Sequence, residues 1–117
     1  MEIIRHDPGP GYARVVIHNK VAYFTDHVAK PELGLTTVKD QTAAILARFD
    51  ELFEKYGMRK EHILLVTIYL RDITTRAEYS EVWRAWAGDK EVPAAVAIQA
   101  LPADDYLVAI SLIVAVE

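Results

Sequence analysis

In the stretch Tyr23-Phe24-Thr25-Asp26-His27-Val28 a carboxylate stands beside an imidazole at the end of an apolar run. Such a pair can deliver one proton and remove another near neutral pH, which is what making or hydrolysing a C=N bond requires. The carboxylate can also hold an amine, amidine or guanidine, and it raises the pKa of a histidine beside it. Successive strand side chains point to opposite faces, so Asp26 and His27 share a pocket only where the strand ends or bulges. Both residue types are also common where a strand simply gives way to a turn.

Other side chains offer less. Arg14 follows Tyr12 by two residues, on the same side of an expected strand, and is either a ligand contact or a solvated edge charge. His6, His18 and His62 lack the i, i+2 or i, i+4 spacing that gathers a metal, so no metal site is expected. Neither Ser80 nor Ser111 has His and Asp partners legible in the sequence, and no glycine-rich phosphate loop is present. The chain has no cysteine, which excludes disulfides, thiolate nucleophiles, iron–sulfur clusters and Cys-ligated zinc.

The elements that must position these groups are legible from periodicity. In TVKDQTAAILARFDELFEKYG, Thr37 and Asp40 form the start of a helix; Ile45, Leu46, Phe49, Leu52, Phe53 and Tyr56 fall on one face, and Gly57 is the stop. A second helix opens on Thr75 with Glu78 three residues on, aligns Tyr79, Val82, Trp83 and Trp86, and closes at Gly88. The two tryptophans read first as core packing. ARVVIHNKVAYFT predicts a hairpin around His18, Asn19 and Lys20. EIIRH, HILLVTIYL, AAVAIQ and YLVAISLIVAV read as further strands. The order is that of one α+β domain over residues 1–117, with a mixed sheet of five to six strands and two helices on one face.

These strands barely alternate, although a sheet covered on one face needs a polar second face only if that face meets water. Leu64, Val66, Ile68 or their odd-numbered neighbours, with residues of 106 to 116, must therefore face something apolar. The expected partner is another copy of the same sheet, with small-molecule clefts between subunits. A net charge of −4 disfavours a nucleic-acid partner. No apolar run reaches the roughly 18 residues of a membrane span, and MEIIRHDPGP lacks a secretory pattern. A cytoplasmic protein is expected.

The segments GPGYARVV, AYFTDHVA, QTAAILARFDELFEKYG, LLVTIYLRDI, YSEVWRAW and VPAAVAIQALPADDYLVAI, in this order and spacing, resemble the Rid superfamily. These are the RidA/YjgF proteins, or reactive intermediate deaminases, and the likeness covers essentially the whole chain. It implies a chorismate-mutase-like fold, a homotrimeric barrel with pockets at the subunit interfaces, and hydrolysis of imines and enamines without metal or cofactor. Tyr12 matches the family's pocket Tyr, and Thr25 its Ser. Ser80 and Gln99 stand where the family often has hydrogen-bonding groups. Asp105, in the LPADDY loop, is placed near the pocket rim. The family's carboxylate-gripping Arg is replaced by Ala95, its Glu positions by Ala109 and Ser111, and its Gly by Asp26, with His27 following.

An alanine supplies neither charge nor hydrogen bonds to a carboxylate, and Asp26 adds a negative charge, so the field favours neutral or cationic guests. Two functions follow. One is C=N chemistry, by hydrolysis, dehydration, cyclisation or tautomerisation, on a small neutral or cationic substrate. Asp26, His27 and Tyr12 would be catalytic, and Thr25, Arg14, Ser80, Trp83, Gln99 and Asp105 substrate contacts. The other is a catalytically silent trimeric binding or chaperone-like module. Some members of the resembled family are described as endoribonucleases, but the acidic balance argues against that activity here.

Overall fold

The computed structural model describes residues 1–117. In chain order the elements are β1 (Ile4–Gly9), β2 (Tyr12–His18), β3 (Val21–His27), α1 (Val38–Tyr56), β4 (Ile63–Leu70), α2 (Arg76–Ala87), β5 (Ala94–Gln99) and β6 (Val108–Ala115). Short 3-10 turns at Pro31–Leu33, Lys60–His62 and Ile73–Thr75 lead into α1, β4 and α2. All six strands form one sheet in the order β1-β2-β3-β6-β4-β5. Only the β4–β5 pair is parallel, because α2 carries the chain back across the sheet between them. No helix is long and apolar enough to cross a membrane.

Local chemistry sets the boundaries. Asn19 and Lys20 both have positive φ, 51° and 64°, the geometry a two-residue hairpin turn requires, and the hairpin falls where the sequence predicts it. The Thr37 hydroxyl accepts from the Asp40 amide at 3.1 Å, and Gly57, at φ 68°, ends α1 while the Met58 amide returns to the Phe53 carbonyl. The start of α2 differs from expectation. Thr75 holds the N-cap position, but its hydroxyl donates to the Asp72 carbonyl and accepts nothing from the helix. Asp72 instead accepts from the Thr74 amide and hydroxyl, fixing the 3-10 turn on which α2 is stacked.

Both helices cover one face of the sheet. Val15, Ile17, Ala22, Phe24, Ile63, Val66, Ile68, Leu70, Val108, Ile110, Leu112 and Val114 point toward them, and an aromatic series runs from Phe24 through Phe49, Phe53 and Trp86 to Trp83 and Tyr79. The opposite face carries the odd-numbered set of β4: Leu65, Thr67 and Tyr69 pair across the sheet with Ile113, Ser111 and Ala109. No element of the chain packs over that face. Tyr23, on the same face, is 50% exposed, and the edge strand β5 leaves Val96 and Ile98 exposed.

Candidate active site

The central feature is a bulge at the end of β3. Phe24 pairs with Leu112 and His27 with Ile110, so Thr25 and Asp26 together stand opposite the single residue Ser111. The extra residue lets Phe24 and His27 both face the helices while Thr25 and Asp26 both line the open face. The sequence predicted that a bulge was needed for two adjacent residues to act together. The bulge is present, but the pair it brings together is Thr25 with Asp26.

Thr25 and Asp26 share a recess of about 410 Å³ with Tyr69, Ala109 and Ser111. Its remaining wall is the Ala100-Leu101-Pro102 segment. The Thr25 hydroxyl donates to Asp26 Oδ1 at 3.1 Å, and the Tyr69 and Ser111 hydroxyls approach to 3.5 Å. A contiguous recess of about 330 Å³ uses the same Thr25 and Asp26 and adds Tyr12, Arg14 and Tyr106. There the Arg14 guanidinium lies 5.2 Å from the centre of the Tyr12 ring and 3.9 Å from Asp7 Oδ2, so its charge is partly engaged. Tyr12, Thr25, Arg14 and Asp26 are thus gathered around one strand end.

His27 leaves this group. Its side chain is 2% exposed, with its ring against Phe24 and Phe49. Nδ1 lies 2.7 Å from the Thr25 carbonyl, to which it must donate, while Nε2 has no partner. Burial lowers its pKa most; the Thr25 bond opposes this, and the nearby Arg48 and Arg14 charges lower it further. A neutral imidazole buried in this way must be charged at a cost when pH falls. The unfolded chain then binds more protons than the native one, so stability is full above the ordinary histidine value of about 6.5 and declines below it, until the folded-state pKa is reached. Urea denaturation as a function of pH should show this decline, and His27→Gln should remove part of it.

Four more expected contacts lie elsewhere. Trp83 is in the core, stacked on Tyr79, because the α2 stripe faces the sheet. Ser80 lies in a shallow groove on α2 with Glu81, Arg84 and Asp89. Gln99 accepts from the Ile73 amide at 3.0 Å and serves the turn before α2. Asp105 lines a separate recess of about 470 Å³ beside Lys30, Gln41 and Tyr106.

Two positioning residues were not predicted. Arg71, at the end of β4, donates from Nε to the Tyr106 carbonyl and from Nη2 to the Pro102 carbonyl, each at 2.9 Å, and also to the Asp104 carbonyl. Gln41 of α1 donates to the Leu35 carbonyl at 2.9 Å and accepts from the Leu107 amide at 2.8 Å. Together they shape the 102–107 segment that walls the site. The signal was available, since an Arg closing an apolar strand and a Gln on a buried helix face must each find partners. Arg71→Ala should cost on the order of 2 kcal/mol and speed amide exchange across residues 102–107. Unchanged exchange there would separate Arg71 from the wall's order.

A six-stranded mixed sheet backed by two helices, with a recess at a bulged strand end, defines an α+β protein of the YjgF type. The comparisons agree. A family model described as Endoribonuclease L-PSP matches residues 4–116. The RutC family protein YoaB of Escherichia coli is 36% identical over 117 residues, covering 99% of this chain and 100% of the relative. A RutC family protein of Haemophilus influenzae is 33% identical, covering 91% and 90%. The crystal structure of a YjgF family member from Neisseria meningitidis superposes with a TM-score of 0.91 at 30% identity, covering 100% of this chain and 97% of that one. The chain belongs to the Rid superfamily, the RidA/YjgF/RutC proteins.

Proposed function

We propose that the protein hydrolyses imines or enamines of small neutral or cationic compounds, or runs the related dehydration, with Asp26 as the group that moves the proton. The observation that carries this reading is the bulge, which commits the Asp26 carboxylate to the recess. Family membership supports a Rid-type role in general. The charge of the recess narrows it. Ala109 and Ser111 line the Asp26 recess and bring no charge to it. Ala95 lies on the exposed β5 and can grip no carboxylate. A protonated imine is a cation, and Asp26 is placed to hold it.

In the hydrolytic direction water adds to the iminium carbon as Asp26 takes the water's proton. The same carboxyl returns that proton to nitrogen, and as the C–N bond of the carbinolamine breaks it takes up the hydroxyl proton, which leaves with the amine as ammonium. The products are a carbonyl compound and an amine. Because His27 faces the core, one carboxyl serves as base and then as acid, while Thr25 orients it through the hydroxyl bond to Oδ1. Tyr12 and Arg14 would bound the substrate on the side of the second recess.

The uncovered face of Tyr23, Leu65, Thr67, Tyr69 and Ile113, with the apolar edge of β5, supports a homotrimer in which subunits complete each other's sites. That neither recess beside Asp26 is lined by an imidazole or a second carboxylate favours the runner-up, a silent binding trimer. One experiment separates the readings: imines generated in situ from cationic, neutral and acidic amino compounds, with light scattering on the same samples. Hydrolysis faster than buffer, with the acidic series slowest, supports the enzyme. No acceleration of any series supports the binding module, preference for the acidic series overturns the charge assignment, and a folded monomer refutes the trimer.

A further inference from the structure

Behind the bulge, on the side that His27 faces, lies a smaller recess of about 220 Å³ between the end of β3 and α1. Arg14, Arg48 and Lys30 line it against one carboxylate, Glu32, in a chain whose net charge is −4. Neither Arg48 nor Lys30 has an ion-pair partner, and Arg14 reaches only the distant Asp7 carboxylate. His27 is also on the wall, and its Nε2 is a fully buried polar atom without a hydrogen bond. Buried polar atoms are nearly always paired, so such an orphan calls for a ligand or a role.

We propose that this recess binds a small oxyanion, a phosphate or a carboxylate, through Arg14, Lys30 and Arg48, with a proton taken up at His27 Nε2. Guanidinium groups match the geometry of either oxyanion by paired N–H bonds, and a lysine adds a point charge. The proton follows from the tautomer. With Nδ1–H committed to the Thr25 carbonyl, a neutral ring offers only a lone pair at Nε2, which repels an oxyanion, whereas the imidazolium attracts one. The charged groups around the ring are Arg48 of α1, Arg14 of β2 and Asp26 of its own strand, with Lys30 and Glu32 at the rim. The anion and the proton therefore favour each other, and the site binds more tightly at low pH. Asp26 lies on the opposite face of the same strand end, and Arg14 lines both this recess and the one beside Tyr12.

The test is NMR titration of the full chain with sulfate, a tetrahedral dianion, and with acetate, a planar monoanion, at matched ionic strength. Neither probe changes charge between about pH 6 and about pH 8, so any pH effect belongs to the protein. The expected result is a saturable shift of the His27 ring and Arg48 side-chain signals, stronger at about pH 6. Arg48→Gln should weaken it by about tenfold or more, and Glu32→Gln should strengthen it. Stronger binding of sulfate assigns the site to phosphate-like groups, and stronger binding of acetate to carboxylates. No saturable shift with either anion, or unchanged affinity in both Arg48→Gln and Lys30→Gln, overturns the site. Binding with no dependence on pH overturns the role of His27. None of these readouts involves imine turnover, so they stand or fall apart from the function proposed above.

Discussion

Asp26→Asn should lower turnover of the preferred imine by at least about a hundredfold, the lower end of what one positioned acid–base group contributes. Asparagine keeps the size of the side chain and can still accept from the Thr25 hydroxyl, but it can neither take a proton from water nor attract an iminium ion. The loss should therefore fall on turnover and on the preference for cationic over acidic imines together. The fold should be unaffected, because Asp26 is exposed and its hydrogen bond is to the neighbouring Thr25. The measurement is initial rate across the three imine series for parent and variant, with urea denaturation of both. A variant that retains the parental rate would remove Asp26 from the reaction. A variant that loses rate but retains the charge preference would leave it as a proton-transfer group alone.

Phe49→Ala should destabilise the protein by about 3 to 5 kcal/mol, a large part of the 5 to 15 kcal/mol typical of a whole domain. Phe49 is fully buried at the junction of sheet and helices. Its ring meets Phe24 edge-on at 5.6 Å and His27 at 5.2 Å, stacks with Phe53 at 6.5 Å and touches Trp86. Removing it opens a cavity bounded on several sides by rigid rings, which cannot collapse to fill it. Urea denaturation should show a lower midpoint with an unchanged slope. A loss below about 1 kcal/mol would mean that the cluster relaxes into the space. Because the His27 ring leans on Phe49, the same variant should also bring the His27 titration nearer to that of a free imidazole.

The legible parts of the fold share one property: their signals act over a few residues. The α1 boundaries followed from Thr37, Asp40 and Gly57, whose bonds span one turn. The Asn19–Lys20 hairpin followed from two residues between apolar runs. The near-absence of alternation in β4 and β6 foretold a sheet with two apolar faces, and Leu65, Thr67 and Tyr69 of β4 do face away from the helices. Asp26, Thr25, Tyr12 and Arg14, singled out by residue type, line joined recesses. Trp83, which an apolar helical stripe already explained, lies in the core, and Ser80 and Gln99 lie on α2 and against its turn, away from those recesses. Arg71 and Gln41 were missed because their partners lie 31 to 66 residues away along the chain, or across a loop of no regular period.

The amino-acid sequence by itself determined which chemistry is excluded, the order of strands and helices, and that an acid ends the strand after the hairpin turn. It also determined that the alanine at position 95 offers no side-chain donor, since residue type alone decides what a side chain can donate. Only the tertiary structure decided which neighbour joins that acid. The choice was made by pairing with β6, where one residue of partner strand faces two of β3 and the period of two is interrupted. Register is a property of two strands brought together, so Thr25 turned with Asp26 toward the recess and His27 turned toward Phe49.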